Sequence, residues 1–288
     1  MVLTSQQTER ISYLLNKILE KKKISQWYNV SVPDMDGKRS KSQKSKPLSE
    51  ICPDVNNALE KITGEDKNFQ RNCLLKETLP EEFKKLDEEK SKELAVWIIR
   101  RWGGINRGFK NESNSPTAAI NLVTGDIERA RKGEIDDTIQ IASPIPSRSK
   151  VLSFFNPEKY MICDSRVLFS LNWLIYITAD KNNEEQVRLF PSLMSGNNGV
   201  NEVSTPEIDF PNDVVVRFKS YAEYCTAIAE ITDSLKKLPD KNNWHRYYTE
   251  MLLFAIAPAD SGIIPKLVKT LKEKNDFSFG TAMQALAE

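Results

Sequence analysis

Apolar residues recur at helical spacing along most of the chain, and the alternation that marks strands is scarce. In residues 5–24, SQQTERISYLLNKILEKKKI, one stripe is made by Ile11, Leu14, Leu15, Ile18 and Leu19. The lysines of that segment gather at its C-terminal end, where the helix macrodipole favours cations. The same spacing predicts helices over residues 54–62, 66–76 and 80–101. The last opens with Pro80 and acids and closes on Arg100 and Arg101, in the order the dipole prefers. Further helices are predicted over 116–133, with Ser115 as its cap, and over 164–179. Residues 191–213 read as a long loop with room for short strands. Helices at 214–238 and 244–257 and a shorter terminal one complete the pattern. The expectation is an all-α fold, a single helical body over 1–288 made of two helical lobes.

Composition narrows the function classes more than the fold. The chain has 288 residues, 40% hydrophobic and 28% charged, enough to bury a sizeable core. A net charge of +1 gives no global field, so a nucleic-acid partner would have to be met by a local patch. One candidate is the segment 32–48, VPDMDGKRSKSQKSKP and the following leucine, expected to be a mobile basic loop. The opening residues, MVLTSQQTER, lack the apolar core of a secretion signal, and ELAVWII and MLLFAIAP are too short to span a bilayer. A cytoplasmic protein without membrane contact is the expectation, and a monomer. Cys52, Cys73, Cys163 and Cys225 form no CxxC pair, which excludes a zinc ribbon and the common four-cysteine cluster motif. They read as reduced thiols, with Cys163 a buried structural residue rather than a nucleophile. The single histidine, His245, excludes a multi-histidine metal site and leaves catalysis to carboxylates, lysine, tyrosine or backbone groups.

The stretch KVLSFFNPEKYMICDSRV, residues 150–167, sets Lys150 and Asp164 at the two edges of an apolar run. Before it, SPIPSRS reads as a tight polar turn, with Ser147 or Ser149 capping the helix that follows. Backbone amides at such a helix start, with Arg148 beside them, would suit a phosphate. Lys150 then falls in the first helical turn, where a cation opposes the dipole. It either extends to water or has a task there. Asp164 has two readings as well: a plain N-cap for SRVLFSLNWLIYI, or a cap whose carboxylate also serves a site.

Two aromatic–basic stretches accompany it. VWIIRRWGGINRGF, residues 96–109, holds Arg100, Arg101 and Arg107, with Trp102 and the Gly103-Gly104 turn as a pocket candidate and Trp97 as core. In NWHRYYTEM, Trp244 and Tyr247 either pack helices together or wall a pocket.

SKVLSFF…MICDSRV resembles the core of the helix-hairpin-helix DNA glycosylases, over about residues 140–175, with the fold-level likeness extending to 90–260. The resemblance implies a helix-hairpin-helix element gripping DNA phosphates, a cleft between two helical lobes, and base flipping. It implies catalytic roles for Asp164, which would stabilise the sugar cation, and Lys150, which could attack C1′ in a lyase step. Ser147, Arg148, Ser149, Arg100, Arg101, Arg107 and Arg166 become DNA contacts; Trp102, Gly103, Gly104, Trp244 and Tyr247 become pocket residues. DNA with a damaged or modified base is the implied partner, and the reaction needs no metal or cofactor. The hairpin glycines usual in the family are absent from SPIPSRS, which suits the alternative, a non-catalytic helical binder of DNA or a partner protein.

Overall fold

Thr4 starts the first helix: its hydroxyl accepts from the Gln7 amide while the Gln7 side chain returns a bond to the Thr4 amide, a capping box. The computed structural model describes residues 2–33, 35, 45–105, 125–129, 132, 139–142, 145–180, 186–193, 204–258 and 262–288. In chain order the elements are α1 (Ser5–Lys21), α2 (Ile24–Trp27), α3 (Leu48–Ile51), α4 (Pro53–Glu60), α5 (Lys67–Lys85) and α6 (Glu88–Trp97). A π-helical turn, Ile98–Trp102, continues α6. Then come α7 (Ile145–Phe155), α8 (Ser165–Thr178), β1 (Val187–Leu189), α9 (Pro206–Asp209) and β2 (Val214–Val216). Last are α10 (Tyr221–Leu235), α11 (Arg246–Ala255), α12 (Ile263–Lys274) and α13 (Phe279–Ala287). The described chain is mostly helical, as the apolar spacing predicts. No described helix is long and apolar enough to cross a membrane.

The chain divides into two compact units. The first comprises Met1–Tyr28, Asp137–Ala142 and Cys163–Glu288; the second comprises Asn29–Asp136 and Ser143–Ile162. The boundary between Ile162 and Cys163 places Lys150 in the second unit and Asp164 in the first.

The first unit is organised around α8, which is buried at every position from Val167 to Thr178. A helix apolar on all sides must be surrounded, and α1, α11, α12 and α13 pack on it with the β1 strand. Its one amide, Asn172, is buried and grips β1's end: Nδ2 donates to the Phe190 carbonyl at 2.9 Å and Oδ1 accepts the Phe190 amide at 3.1 Å. β1 and β2 form a parallel pair in the register Val187↔Val214, Arg188↔Val215, Leu189↔Val216. Here the helix expected over 214–238 is corrected. Its first three valines are strand, because β-branched residues favour the pleated backbone, and the helix begins at Tyr221 under a Ser220–Glu223 capping box.

The second unit is built on one core joining Leu48, Leu75, Leu79, Phe83, Leu94, Trp97, Val151 and Phe154, among others. A second correction falls here: Pro80 does not open a helix but lies inside α5. It cannot donate to the Lys76 carbonyl, so the ladder opens at that turn while packing of Leu75, Leu79 and Phe83 carries the helix on. The break comes instead at Asp87, whose carboxylate accepts the Lys90 amide at 2.8 Å. Most of the predicted 116–133 helix lies outside the described residues, which include only 125–129 and 132 of it.

The ends of the 32–48 segment are packed. Val32 and Leu48 are core, Met35 lies against them, and Lys46 pairs with Glu93 at 2.5 Å. Residues 34 and 36–44 are outside the described set. Deleting 32–48 whole should therefore lower the melting temperature markedly, since two buried aliphatic side chains are lost, at roughly 1.5–3 kcal/mol each. An unchanged melting curve would show that neither residue matters to the core.

Both units bury weak acids that keep their protons to higher pH in the folded chain than in the unfolded one. In the second, burial chiefly, with Glu82 adding, pushes the Cys52 thiol from 9.0 up to about 12. In the first, burial and then Asp213 and Asp209 take Tyr176 from 10.0 to about 12, and burial puts Tyr221 and Tyr224 well above the ordinary range. The unfolded chain releases these protons first, so stability is intact below pH about 9 and falls as pH rises toward 12. Urea midpoints measured from pH 8 upward should decline steadily; a flat profile would contradict the burial of these groups.

Candidate functional site

Asp164 is the N-cap of α8. Its Oδ1 accepts the Arg166 amide at 3.0 Å and the Val167 amide at 3.1 Å, so the carboxylate is fixed at the positive end of a buried helix. The chain before it, Tyr160 to Cys163, is buried and irregular. Arg166 is half-buried, with its guanidinium 4.9 Å from the Phe254 ring centre on α11. On that same face, one turn earlier, Glu250 is buried at 3% exposure. Asp164 belongs to the charges that raise Tyr224, after burial itself, Cys163, Glu250 and Cys225. The first unit therefore carries a buried polar neighbourhood behind the cap.

Lys150 is placed otherwise than expected. α7 begins at Ile145, so Ser147, Arg148 and Ser149 are helical residues rather than caps, and Lys150 is in the second turn rather than the first. Ser143 and Pro144, the start of the expected hairpin, lie outside the described residues. Pro146 causes the early start, because a proline suits the first turn of a helix, where its missing N–H costs nothing. The Lys150 side chain is 7% exposed, so it is not extended into water. It runs against Gly103: a Cβ built there would stand 2.9 Å from Lys150 Cδ, 2.8 Å from the Ile99 carbonyl oxygen and 3.0 Å from that of Ile98.

The two stretches singled out separately in the sequence thus meet inside the second unit. The π turn widens the helix by one residue, its last amide bond running from Gly103 N–H to the Ile98 carbonyl at 2.8 Å. This swings Trp102 onto α7, where its ring meets Phe154 edge-on at 4.7 Å, and its Nε1 donates to Asn72 Oδ1 at 2.8 Å. Trp102 is pinned by packing and a hydrogen bond. Gly104 has φ +62, with open space around its missing side chain.

Several expected DNA contacts have other partners. Arg148 donates from Nε and a terminal nitrogen to the buried carboxylate of Asp126, at 2.6 and 2.7 Å, and Arg129 bonds the same carboxylate at 2.6 Å. A bidentate pair with an acid 1% exposed engages one edge of this guanidinium inside the second unit. Arg101 holds Ser45, donating to its carbonyl at 2.6 Å and to its hydroxyl at 2.9 Å. Arg100 is half-buried on the π turn, and Arg107 lies outside the described residues. Trp244 and Tyr247 are buried, at 8% and 2% exposure. Trp244 Nε1 donates to Thr249 Oγ1 at 3.0 Å, and Tyr247 stacks on His245 at 4.9 Å. Both are buried within the first unit, as the reading in which they pack helices together expects.

What the sequence hid is a second buried lysine. Lys76 on α5 is 0% exposed. Its ammonium donates to Ser153 Oγ at 3.0 Å and stands 4.7 Å from the Phe154 ring centre. The one available signal was its register: Asn72, Lys76 and Leu79 fall on the face that carries Leu75 and Phe83. All four cysteines are buried thiols outside any disulfide, and no group of three potential ligands among the described residues could hold a metal. Comparison with protein-family models, with characterised proteins and with solved structures gives no match to this chain.

Proposed function

We propose that the chain is a DNA glycosylase-like enzyme that cleaves the N-glycosidic bond of a damaged or modified base. Asp164 stabilises the positive charge that develops on the sugar, and Lys150 supplies an amine for attack at C1′. The observation that carries this reading is the meeting of Lys150 with Gly103 beside the pinned Trp102. A lysine buried to 7% exposure and fitted against a glycine is held in one place, as a nucleophile must be. Asp164, in the first unit, offers a carboxylate that two amide bonds hold in place.

The second reading, a non-catalytic helical binder, is favoured by the engagement of Arg148 with Asp126 and by the helical placement of Ser147 and Ser149. Both engage residues that the resemblance assigns to the phosphate grip.

Duplex binding tests both readings first. With a net charge of +1, affinity must come from a local basic face, and log K should fall by about 0.9 per phosphate neutralised as log salt rises. Arg148→Ala should leave that slope unchanged, because its charge is already spent. Binding that is absent at low salt, or indifferent to salt, would remove DNA as the partner. Release of free base from a panel of modified duplexes then separates enzyme from binder.

A further inference from the structure

Lys76 has no counterpart in the proposed reaction, and its burial is costly. An ammonium taken wholly out of water loses hydration that even a good partner only partly returns, and an aliphatic side chain of similar volume packs as well or better. The chain nonetheless sets it at the turn of α5 opened by Pro80, facing α7.

Its contacts have a direction. The Ser153 hydroxyl has one proton, which it donates to the Lys150 carbonyl at 2.8 Å. It therefore accepts from Lys76, at 3.0 Å, and the ammonium fixes which way the hydroxyl points. A serine bonded back to the carbonyl three residues earlier adjusts the local helix geometry, here at the residue that bears the proposed nucleophile. The ammonium also holds Phe154, the ring against which Trp102 rests, and Trp102 is bonded to Asn72, one turn before Lys76 on α5. The contacts close a ring around the base of Lys150, with Gly103 next to Trp102 in the chain touching its side chain.

We propose that Lys76 is the positioning residue for Lys150, acting through Ser153 to fix the helical turn that presents the Lys150 amine. The assignment rests on Lys150 being the nucleophile of the proposed reaction.

A duplex with one abasic site tests it without knowledge of the preferred base. The Lys150 amine bonds to the C1′ aldehyde carbon, the aldehyde oxygen leaves as water with both amine protons, and an imine remains. Borohydride then delivers hydride to the imine carbon, solvent gives a proton to nitrogen, and a stable adduct results. The full chain should form this adduct and Lys150→Gln should not. In Lys76→Met and Ser153→Ala the single-turnover trapping rate should fall roughly tenfold to a hundredfold, the scale of a small misplacement of a reacting group. Duplex affinity and melting temperature should stay at parent values, which a purely structural role for the ammonium would not produce together with the slower rate. Trapping at the parent rate in both variants overturns the assignment while the nucleophile stands. Should Lys76→Met fail to fold, Ser153→Ala, which removes a single oxygen, decides alone. If the parent forms no adduct, Lys150 is not the nucleophile, and the reading beneath the assignment falls with it.

Discussion

Asp164→Asn should fold as the parent does and release base slower by orders of magnitude. Asparagine keeps an oxygen where Oδ1 accepts the Arg166 and Val167 amides, so the cap survives. The stability loss should stay below about 1 kcal/mol, since the two residues rank as near-equal caps. What disappears is the negative charge. C–N cleavage leaves an oxocarbenium-like sugar, and a fixed carboxylate near it lowers the barrier by several kcal/mol, about tenfold in rate for each 1.36 kcal/mol. The measurement is free base released from modified duplexes and single strands, beside a urea titration of each protein. A variant that cannot fold would show that the aspartate is a structural cap and nothing more. A parent that cuts no substrate in a broad panel, paired with a variant of equal DNA affinity, would leave the non-catalytic binder.

That test follows from a feature legible in the sequence, and the contrast with the illegible ones has a physical basis. Capping signals are local: Asp164 before an apolar run starts α8. The apolar stripe of α1 and the all-round apolarity of α8 predict burial directly, because burial follows periodicity. What failed was set by partners distant in the chain. Val214–Val216 becomes strand by pairing with Val187–Leu189, which no reading of a helical window includes. Pro80 is absorbed because α5 is held by its packed face on both sides of it. Arg148 reads as a phosphate ligand, and only the fold shows Asp126, twenty-two residues earlier by the numbering, taking one edge of its guanidinium. Lys76 was missed for a different reason, its register being the one signal it gave. A lysine on an apolar stripe normally extends its amine to water, and only the neighbours α7 brings to it show that this one does not.

Gly103→Ala should damage the second unit more than its size suggests, and should disturb Lys150 as it does so. The backbone there is ordinary, with φ −79, so the cost does not come from a forbidden conformation. It comes from crowding: the new methyl would stand 2.8 Å from the Ile99 carbonyl oxygen, 3.0 Å from that of Ile98 and 2.9 Å from Lys150 Cδ. Two of these are backbone atoms of the π turn and cannot step aside without breaking it. Overfilling of this kind costs about 1–3 kcal/mol, read as a lower urea midpoint. Gly104→Ala is the informative control. Space around it is open, but φ +62 is the left-handed region, so it should lose about 1–2 kcal/mol through strain alone. Both variants lose stability, but only Gly103→Ala should slow adduct formation on an abasic duplex at temperatures well below its melting point, because only there does the methyl meet the lysine. Shortening the lysine in Gly103→Ala/Lys150→Ala removes one of the three close approaches and should recover part of the lost midpoint, relative to the sum of the single changes. Strict additivity would mean that Lys150 does not lie against Gly103 in solution, and the meeting of the two stretches on which the proposed reaction rests would be lost.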